Sequence, residues 1–412
     1  MMFLQYALWG AWLPVTARYL SASQSEGGLG FSGSEIGMIL GLAGSIGAIF
    51  APFIAGQIAD RYFSTEKILA FLVITGGMVK WVTASQDDYQ SWLILSILYS
   101  ILYMPTLALS NSISFAHIDS QENDFPKIRV WGTIGWIVSS WIFPMFWLQT
   151  NLEFQILPPF FVGVEHTDVT SRLADALRFS GIISFCYGAF CFLLPNTPPS
   201  KNPLNKSAYI KAFGLFKNSS FFILVLTSLM VSVIHQIYFL QTGPFLSSLG
   251  VSDSFIGPVM SIGQFAEIIT MAYLGFFIKK LGFKKVISLG IGAYFFRYLI
   301  FGTPSLPLWL IISSQAFHGF CYAFFFAAAF IYVDKISETD FRHSAQTVFG
   351  IIILGGGPVL GGWLSGFLQE VFSNNNNNFN FSSFWYSISL IGLIATLFFI
   401  TLFKEKLNYK GN

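Results

Sequence analysis

Twelve apolar runs, each long enough to cross a lipid bilayer as a helix, dominate the sequence. A helix needs about 20 apolar residues to span the hydrocarbon core of a membrane. Runs that meet this requirement lie at 2–20, 34–59, 68–86, 92–115, 128–149, 177–195, 218–242, 254–278, 284–302, 307–332, 343–369 and 381–403. The sequence therefore predicts an all-α membrane protein with twelve transmembrane helices.

The composition excludes a soluble protein. Of the 412 residues, 54% are hydrophobic and 10% are charged, whereas soluble proteins carry about 25% charged residues. We therefore expect the lipid bilayer as the surrounding medium. The net charge of +2 gives no reason to expect a nucleic-acid partner. The first run has no basic region before it and no small-residue cleavage site after FLQYALWGAWLPV, so we interpret it as a retained span rather than a signal peptide.

The basic residues indicate the orientation, because cytoplasmic loops carry an excess of Lys and Arg. With both termini in the cytoplasm, all but six of the 22 basic residues lie in inside loops or in the tail. The six others are Arg18, Lys80, Arg129, Arg172, Arg178 and Arg297. We predict a multi-pass protein with both termini on the cytoplasmic side.

A segment rich in Pro and Lys, 196–217, separates six spans from six. We interpret it as a cytoplasmic linker between an N-terminal half, 1–195, and a C-terminal half, 218–412, which ends in a short cytoplasmic tail. A weak repeat relates GQIADRYFSTEK after the second span to GFFIKKLGFKK after the eighth. Two six-helix parallel repeats describe the major facilitator fold, in which the substrate cavity lies between the halves near the membrane midplane.

The loop after the second span contains Gly56, Asp60 and Arg61, which match the Gly-x-x-x-Asp-Arg signature of the major facilitator superfamily. By this likeness the three residues form a charge-paired conformational latch on the cytoplasmic face. The alternative is a basic flank with an incidental acid.

Charged side chains inside a membrane are costly and need a reason. Glu267 lies near the middle of the eighth span, and Gln264 precedes it by three residues and shares its helix face. This pair suits a polar substrate contact beside a reversibly protonated carboxyl. The alternative is a structural acid that is paired permanently with Arg129 or Arg297.

The tenth span contains His318 and, four residues later on the same face, Tyr322. Such a pair could bind and stack on a polar ligand. The adjacent His235 and Gln236 must face different ways, and a packing role remains open for each histidine. Arg297 is expected in a structural or lipid-facing role.

Two basic residues near the outer helix ends, Arg18 and Lys80, are expected to reach water by snorkelling. The stretch DFPKIRVWGTIGW predicts a helix that begins near Ile128, after Pro126, and places Arg129 in its first turn. A helix N-terminus is unfavourable for a cation. Arg129, Thr133 and Trp136 lie on one face of this helix. We therefore expect this face to contact an acid or a ligand.

Five stretches together resemble the bacterial nucleoside:proton symporters: FLQYALWGAWLPV (3–15), YMPTLALSNSISF (103–115), DFPKIRVWGTIGW (124–136), MSIGQFAEI (260–268) and RHSAQ (342–346). This resemblance implies proton-driven uptake of nucleosides across the bacterial cytoplasmic membrane. It also implies a substrate site that consists of Arg129, Thr133, Trp136, Gln236, Gln264, Glu267, His318 and Tyr322.

The chain departs from the family pattern at several of these positions. Phe239 stands where relatives can carry Asn, Ala323 where they can carry Asp, and His318 where a Tyr is expected. Trp136 and Tyr322 replace phenylalanines. Because Ala323 cannot titrate, Glu267 is the expected proton site, assisted by His318, and the nucleoside preference is expected to differ.

Two other functions remain open at this point, a porter of another small polar solute such as a sugar or a nucleobase-like compound, and a nucleoside sensor that does not transport. The sequence offers no metal-ligand cluster, no nucleophile with a base and no phosphate-binding loop. We therefore expect no enzyme, no metal and no cofactor, and we expect a monomer that takes a nucleoside and a proton as partners.

Overall fold

The computed structural model describes residues 1–54, 64–119, 121–156, 158–198, 214–337, 342–373 and 379–405. Most of this part of the chain is helical. Seven of its helices are long and apolar enough to cross a membrane. They are Gly33–Phe50, Tyr89–Ala116, Ser219–Ser248, Asp253–Gly302, Leu308–Ile336, Ala345–Val371 and Phe381–Leu402.

The helices of the first 191 residues are α1 (Met2–Ser21), α2 (Gly33–Gly37), α3 (Ala43–Ile54), α4 (Thr65–Thr83), α5 (Tyr89–Ala116), α6 (Gln121–Trp147), α7 (Val169–Arg172) and α8 (Asp175–Cys191). A π-helical turn, Met38–Leu42, makes α2 and α3 continuous. A capping box starts α2, because the Ser32 side chain accepts from the backbone N–H of Glu35 and the Glu35 carboxylate accepts from the backbone N–H of Ser32.

The later helices are α9 (Ser219–Ser248), α10 (Asp253–Gly302), α11 (Leu308–Ser313), α12 (Phe317–Phe320), α13 (Ala328–Ile336), α14 (Arg342–Ile351), α15 (Gly357–Val371) and α16 (Phe381–Leu402). A 3₁₀ turn, Ser314–Ala316, follows α11, and π-helical turns lie at Cys321–Ala327 and Ile352–Gly356. Each π turn lies within a longer helical run and widens it locally.

Each of the twelve predicted spans is helical over most of its described residues, and several end a few residues before the predicted boundary. Two of them, 254–278 and 284–302, lie within the 50 residues of α10. They are separated at Gly282, whose φ of 80° and ψ of 165° are not helical. Glycine tolerates this backbone conformation because it has no Cβ. Four less apolar spans, at 2–20, 68–86, 128–149 and 177–195, are helical as well.

The predicted start of the fifth span near Ile128 is wrong. Helix α6 begins at Gln121 and continues through Pro126. A proline has no backbone N–H and therefore removes one hydrogen bond from a helix. Pro126 lies near the start of α6, where this loss affects only the first turns of the helix. Arg129 therefore lies two turns inside α6 and not in its first turn.

The described chain forms two compact units. The first comprises Met1–Asn202 and Tyr238–Ser261, and the second comprises Pro203–Ile237 and Ile262–Asn412. In the first unit α1 packs against α6 and α8, and α3 packs against α5. Gly10 allows a close approach of α1 to α6, because a Cβ there would lie 2.3 Å from the backbone oxygen of Trp136.

The loop at 150–176, whose role the sequence did not reveal, contains a β-hairpin. Strands β1 (Gln149–Phe154) and β2 (Phe161–Glu165) pair antiparallel. The Glu165 carboxylate accepts a hydrogen bond of 2.7 Å from the backbone nitrogen of Ser254, in the first turn of α10. The hairpin thus caps the N-terminus of α10 within the first unit.

The two basic residues expected to snorkel have specific partners instead. Arg18 forms ion pairs with Asp253 (3.0 Å) and Glu26 (3.2 Å). Lys80 is only 3% exposed, so the prediction that it reaches water is wrong. Its ammonium nitrogen lies 3.4 Å from the centroid of the Trp12 ring and 4.1 Å from that of Tyr99. The negative faces of these rings attract the cation in place of water.

Candidate substrate site

In the first unit, Arg129 lies against the side chain of Tyr6 from α1. The central carbon of its guanidinium is 4.0 Å from the centroid of the Tyr6 ring. Gly132 makes room for this contact, because a Cβ there would lie 2.6 Å from the ring and 2.8 Å from Arg129 Nη1. The aromatic face thus holds the guanidinium in place.

Thr133 and Trp136 follow Arg129 at one-turn intervals along α6, so the three residues share one helix face. Thr133 is partly buried, and Trp136 is 7% exposed. The hydroxyl of Ser139 donates a hydrogen bond of 3.1 Å to the backbone oxygen of Trp136. The side chain of Arg129 contacts another helix, α1, through Tyr6.

In the second unit, Arg297 is fully buried, with 0% of its surface exposed. Its lipid-facing alternative is therefore wrong. Nη2 donates to the side-chain oxygen of Gln315 at 2.5 Å, and Nη1 lies 3.2 Å from Nδ1 of His318. Buried charges require such hydrogen bonds, and each of these two partners has an atom that can accept one.

The His318 ring also stacks on the ring of His235, with centroids 5.4 Å apart and planes at 21°. Nδ1 of His235 is hydrogen-bonded to the hydroxyl of Tyr294 at 2.8 Å. A continuous polar chain therefore runs from Gln315 through Arg297 and His318 to His235 and Tyr294. We refer to these five residues as the buried polar chain.

Gln264 and Glu267 lie on α10 where it touches the helix that carries His318. A Cβ on Gly263 would lie 2.8 Å from the Cβ of His318, and a Cβ on Gly319 would lie 2.6 Å from the backbone nitrogen of Glu267. The two glycines bring the helices into contact at this level. Glu267 is partly buried. The side-chain oxygen of the buried Gln264 has no hydrogen-bond partner among the described residues.

Gln236 and His235 face different ways, as the sequence predicts. A Cβ on Gly361 would lie 2.8 Å from the Cβ of Gln236, which therefore faces α15. His235 instead contacts Phe326, with ring centroids 4.9 Å apart. Phe326 also contacts Tyr322, at 5.9 Å.

Tyr322 and the departure Ala323 both lie in the π-helical turn Cys321–Ala327. Ala323 is fully buried, with 0% of its surface exposed. Such turns are frequent at functional sites because they redirect side chains by a fraction of a turn. This local geometry fits the prediction that the tenth span contributes to the substrate site.

The eight predicted substrate residues thus divide between the units, with Arg129, Thr133 and Trp136 in the first and the other five in the second. In the second unit, Glu267 and His318 lie on helices in direct contact. The predicted latch residues Gly56, Asp60 and Arg61 lie outside the described residues.

Sequence reasoning did not identify the aromatic partner of Arg129, Tyr6, or the amide and phenol groups of the buried polar chain, Gln315 and Tyr294. Their signal in the sequence was weak. Tyrosine and glutamine residues within an apolar run are common. Only the arginine or histidine side chain that each of them contacts distinguishes these three from ordinary packing residues.

The sequence model of the family described as "Nucleoside H+ symporter" matches residues 1–408. The chain belongs to the nucleoside H+ symporter family. It is 34% identical over 421 aligned residues to the putative nucleoside transporter YegT of Escherichia coli (strain K12), an alignment that covers 99% of this chain and 93% of that protein. This member of the family is therefore a membrane transporter and not an enzyme.

Comparison with solved structures gives the same result. A crystal structure of the nucleoside transporter NupG matches with a TM-score of 0.81 and 26% identity over 98% of both chains. The D-xylose-proton symporter matches with a TM-score of 0.73 at 14% identity, over 98% of this chain and 97% of that one. The second likeness shows the fold alone. The chain has the major facilitator fold that the sequence predicts, in a multi-pass membrane protein.

Proposed function

We propose that this transporter imports nucleosides together with protons across the bacterial cytoplasmic membrane, by alternating access. It acts as a monomer with both termini in the cytoplasm. The family match and the names of the relatives support the substrate class. The concentration of basic residues in the loops on one side supports the orientation.

The proposal depends on the position of the Glu267 carboxyl in α10. It is a carboxyl group in an otherwise apolar part of a membrane helix, and it lies where that helix contacts the helix of His318. An ionisable group at this depth is costly to keep in a membrane protein and marks a pathway for substrate or protons.

The proposed binding residues fit the chemistry of a nucleoside. A nucleoside has a flat base, which stacks on aromatic rings, and ribose hydroxyls, which bind amide and guanidinium groups. Trp136 and Tyr322 offer rings, Arg129 offers a guanidinium, and Thr133 offers a hydroxyl. Gln236 and Gln264 offer amides. The Gln264 oxygen, buried without a partner among the described residues, is suited to accept from a ligand hydroxyl.

The coupling follows from the charge on Glu267. When Glu267 is protonated, the carboxyl is neutral, and reorientation of the loaded protein moves no bare charge through the membrane. After the nucleoside and the proton leave to the cytoplasm, the empty transporter returns with the carboxylate unprotonated and binds its next proton from outside, so each cycle carries a proton inward with the nucleoside. Movement of the nucleoside is thereby tied to movement of a proton.

The test is uptake of labelled nucleosides by the purified protein in liposomes, with an imposed pH gradient and with or without a protonophore. We expect accumulation of at least one purine or pyrimidine nucleoside, its loss with the protonophore, and no competition by free sugars. Binding without accumulation would identify a sensor, and transport inhibited by sugars alone would identify a different porter. Either result would overturn the proposal.

A further inference from the structure

The corner between the eighth and ninth predicted spans carries a group of lysines that the transport mechanism does not use. We propose that this corner, residues 279–285 of α10, binds the phosphate of an anionic phospholipid. The acyl chains of the lipid lie along the exposed faces of the two spans. The inference goes beyond the proposed function and does not depend on the nature of the transported solute.

The first observation is the charge of the corner in the sequence. The stretch KKLGFKK contains four lysines and no acidic residue. The corresponding stretch of the first half, GQIADRYFSTEK, contains two basic and two acidic residues. The positive charge is therefore specific to the second half. Four lysines directly beside a membrane span are typical of a segment that binds anionic lipids.

The second observation is that the backbone of the corner is held in place. Gly282, with φ of 80° and ψ of 165°, turns the chain between the two spans. The buried ring of Phe283 packs on Tyr332 of α13, with ring centroids 5.4 Å apart. The Glu405 carboxylate accepts hydrogen bonds from the backbone nitrogens of Phe283, at 3.2 Å, and of Lys284, at 3.0 Å. The lysines are thus presented by a fixed turn.

The third observation concerns the charges around this turn. Lys335 Nζ lies 5.3 Å from the centroid of the Phe283 ring, and Lys404 directly precedes Glu405 in the chain. We refer to the six lysines together as the lysine cluster: Lys279, Lys280, Lys284, Lys285, Lys335 and Lys404. None of them forms an ion pair with another residue that the structure describes. The Glu405 carboxylate offsets only part of this charge.

The fourth observation favours a lipid over a soluble anion. On the eighth span, Tyr273 and Phe276 are each more than half exposed and lie on the helix face that ends in Lys280. Lys280 Nζ lies 5.6 Å from the centroid of the Phe276 ring. On the ninth span, the exposed Leu289 follows Lys285 by one turn. An anionic phosphate above two apolar chains matches this arrangement of lysines above apolar surface.

The first test compares lipids that differ in charge. Native mass spectrometry of the purified full-length protein measures the binding of phosphatidylglycerol and of phosphatidylcholine with the same acyl chains. We expect phosphatidylglycerol to bind roughly tenfold more tightly or better. Equal binding of the two lipids would overturn the inference. Inorganic phosphate and glycerophosphoglycerol, which lack acyl chains, should not displace the lipid. Displacement by either would identify a site for a soluble anion instead and would overturn the inference as well.

Two double variants test the corner itself, one with Lys279→Gln and Lys280→Gln and the other with Lys284→Gln and Lys285→Gln. One lysine near a membrane surface contributes about fivefold to the binding of an anionic lipid. Each double variant should therefore weaken the binding of phosphatidylglycerol roughly 20- to 30-fold. Lys67→Gln removes an exposed lysine at the start of α4 and is the matched control, with a change of less than about twofold. The same loss in the control would show a general attraction to basic loops and contradict the inference.

Glu405→Gln should change the affinity in the opposite direction. Glutamine retains an oxygen that can accept from the backbone nitrogens of the corner, and it removes the negative charge beside the lysine cluster. We expect phosphatidylglycerol to bind roughly two- to fivefold more tightly, with a smaller difference at high salt. A corner that has lost its structure would bind the lipid more weakly, so misfolding cannot produce the expected result. Unchanged or weaker binding in Glu405→Gln would refute the role of the corner charge.

Discussion

Gly319 packs directly against the backbone of Glu267, and a Cβ at this glycine would lie 2.6 Å from the Glu267 nitrogen and 2.4 Å from the preceding carbonyl carbon. Contacts this short require the two helices to separate. We expect Gly319→Ala to lower the free energy of unfolding by about 1–3 kcal/mol, the usual cost of overpacking. Nucleoside uptake should fall as well, because His318 moves away from Glu267.

Gly275→Ala, also on α10, is the matched control. Nothing lies within 4 Å of a Cβ at Gly275, and alanine favours a helix over glycine by about 1 kcal/mol. We expect this variant to be as stable as the wild type or more stable, with unchanged uptake. Thermal unfolding in lipid nanodiscs and uptake in liposomes measure the two effects. Equal behaviour of the two alanine variants would show that the helix contact at Gly319 is unimportant.

The contrast between these glycines shows what the sequence could and could not predict. The twelve spans and their helical state were predictable, because hydrophobic length alone identifies a membrane helix. The neighbouring helices against which each span packs were not predictable. Gly319 and Gly275 both stand in apolar helical runs, and only the neighbouring helix distinguishes them. A helix that is apolar on all sides gives no periodic signal of the face it buries.

The same limit applies to the candidate site. The sequence indicates Glu267 and His318 as candidates, because charged and polar groups in a membrane run are rare and costly. It left a structural and a lipid-facing role open for Arg297, since its partner His318 is 21 residues away and on another helix. The start of α6 differs from the prediction as well, because a proline such as Pro126 favours a helix boundary although the helix continues through it.

Glu267→Gln tests the proton site. Glutamine keeps the size and the hydrogen bonding of a protonated carboxyl and cannot release a proton. We expect accumulation against a gradient to disappear while counterflow of nucleosides persists. Glu153→Gln, on β1 of the hairpin and exposed, is the control and should leave both assays unchanged. Accumulation driven by a pH gradient in Glu267→Gln would exclude this carboxyl as the proton site.

Tyr6 holds Arg129 through its ring and not through its hydroxyl, because the guanidinium carbon lies 4.0 Å from the ring centroid. Tyr6→Phe keeps the ring and should leave the KM for nucleoside uptake within a factor of 2 of the wild type. Tyr6→Leu removes a contact of about 0.5–2 kcal/mol and should raise the KM roughly 2- to 30-fold. Kinetics of initial uptake measure both. A larger effect of Tyr6→Phe than of Tyr6→Leu would show that the hydroxyl matters instead.

The ion pair of Arg18 and Asp253 fixes the first turn of α10 to the end of α1. Their side chains are 16% and 6% exposed, whereas those of the pair Arg172 and Asp168 are 29% and 55% exposed. Solvent screens the second pair more strongly. A double-mutant cycle of Arg18→Met and Asp253→Asn should give a coupling energy of about 1–3 kcal/mol in thermal unfolding.

The same cycle on Arg172→Met and Asp168→Asn serves as the comparison and should give no measurable coupling. Both cycles use protein in the same nanodiscs and buffer. At 1 M salt the coupling of Arg18 and Asp253 should persist, because burial reduces screening. Loss of this coupling in salt would show that the pair behaves as an ordinary surface ion pair.

Lys80 places a cation in the interior of the first unit, 3.4 Å from the centroid of Trp12 and 4.1 Å from that of Tyr99. Two effects oppose each other here. The rings stabilise the ammonium by up to about 2 kcal/mol, whereas burial of an ammonium away from water costs several times that amount. The desolvation cost should therefore exceed the stabilisation by the rings.

Lys80→Met, which fills a similar volume and favours aromatic neighbours, should therefore unfold at the same temperature as the wild type or higher. Lys80→Ala leaves a cavity and should lose about 2–5 kcal/mol. A Lys80→Met protein as unstable as Lys80→Ala would show that the ammonium itself, and not the filled volume, holds α1, α4 and α5 together.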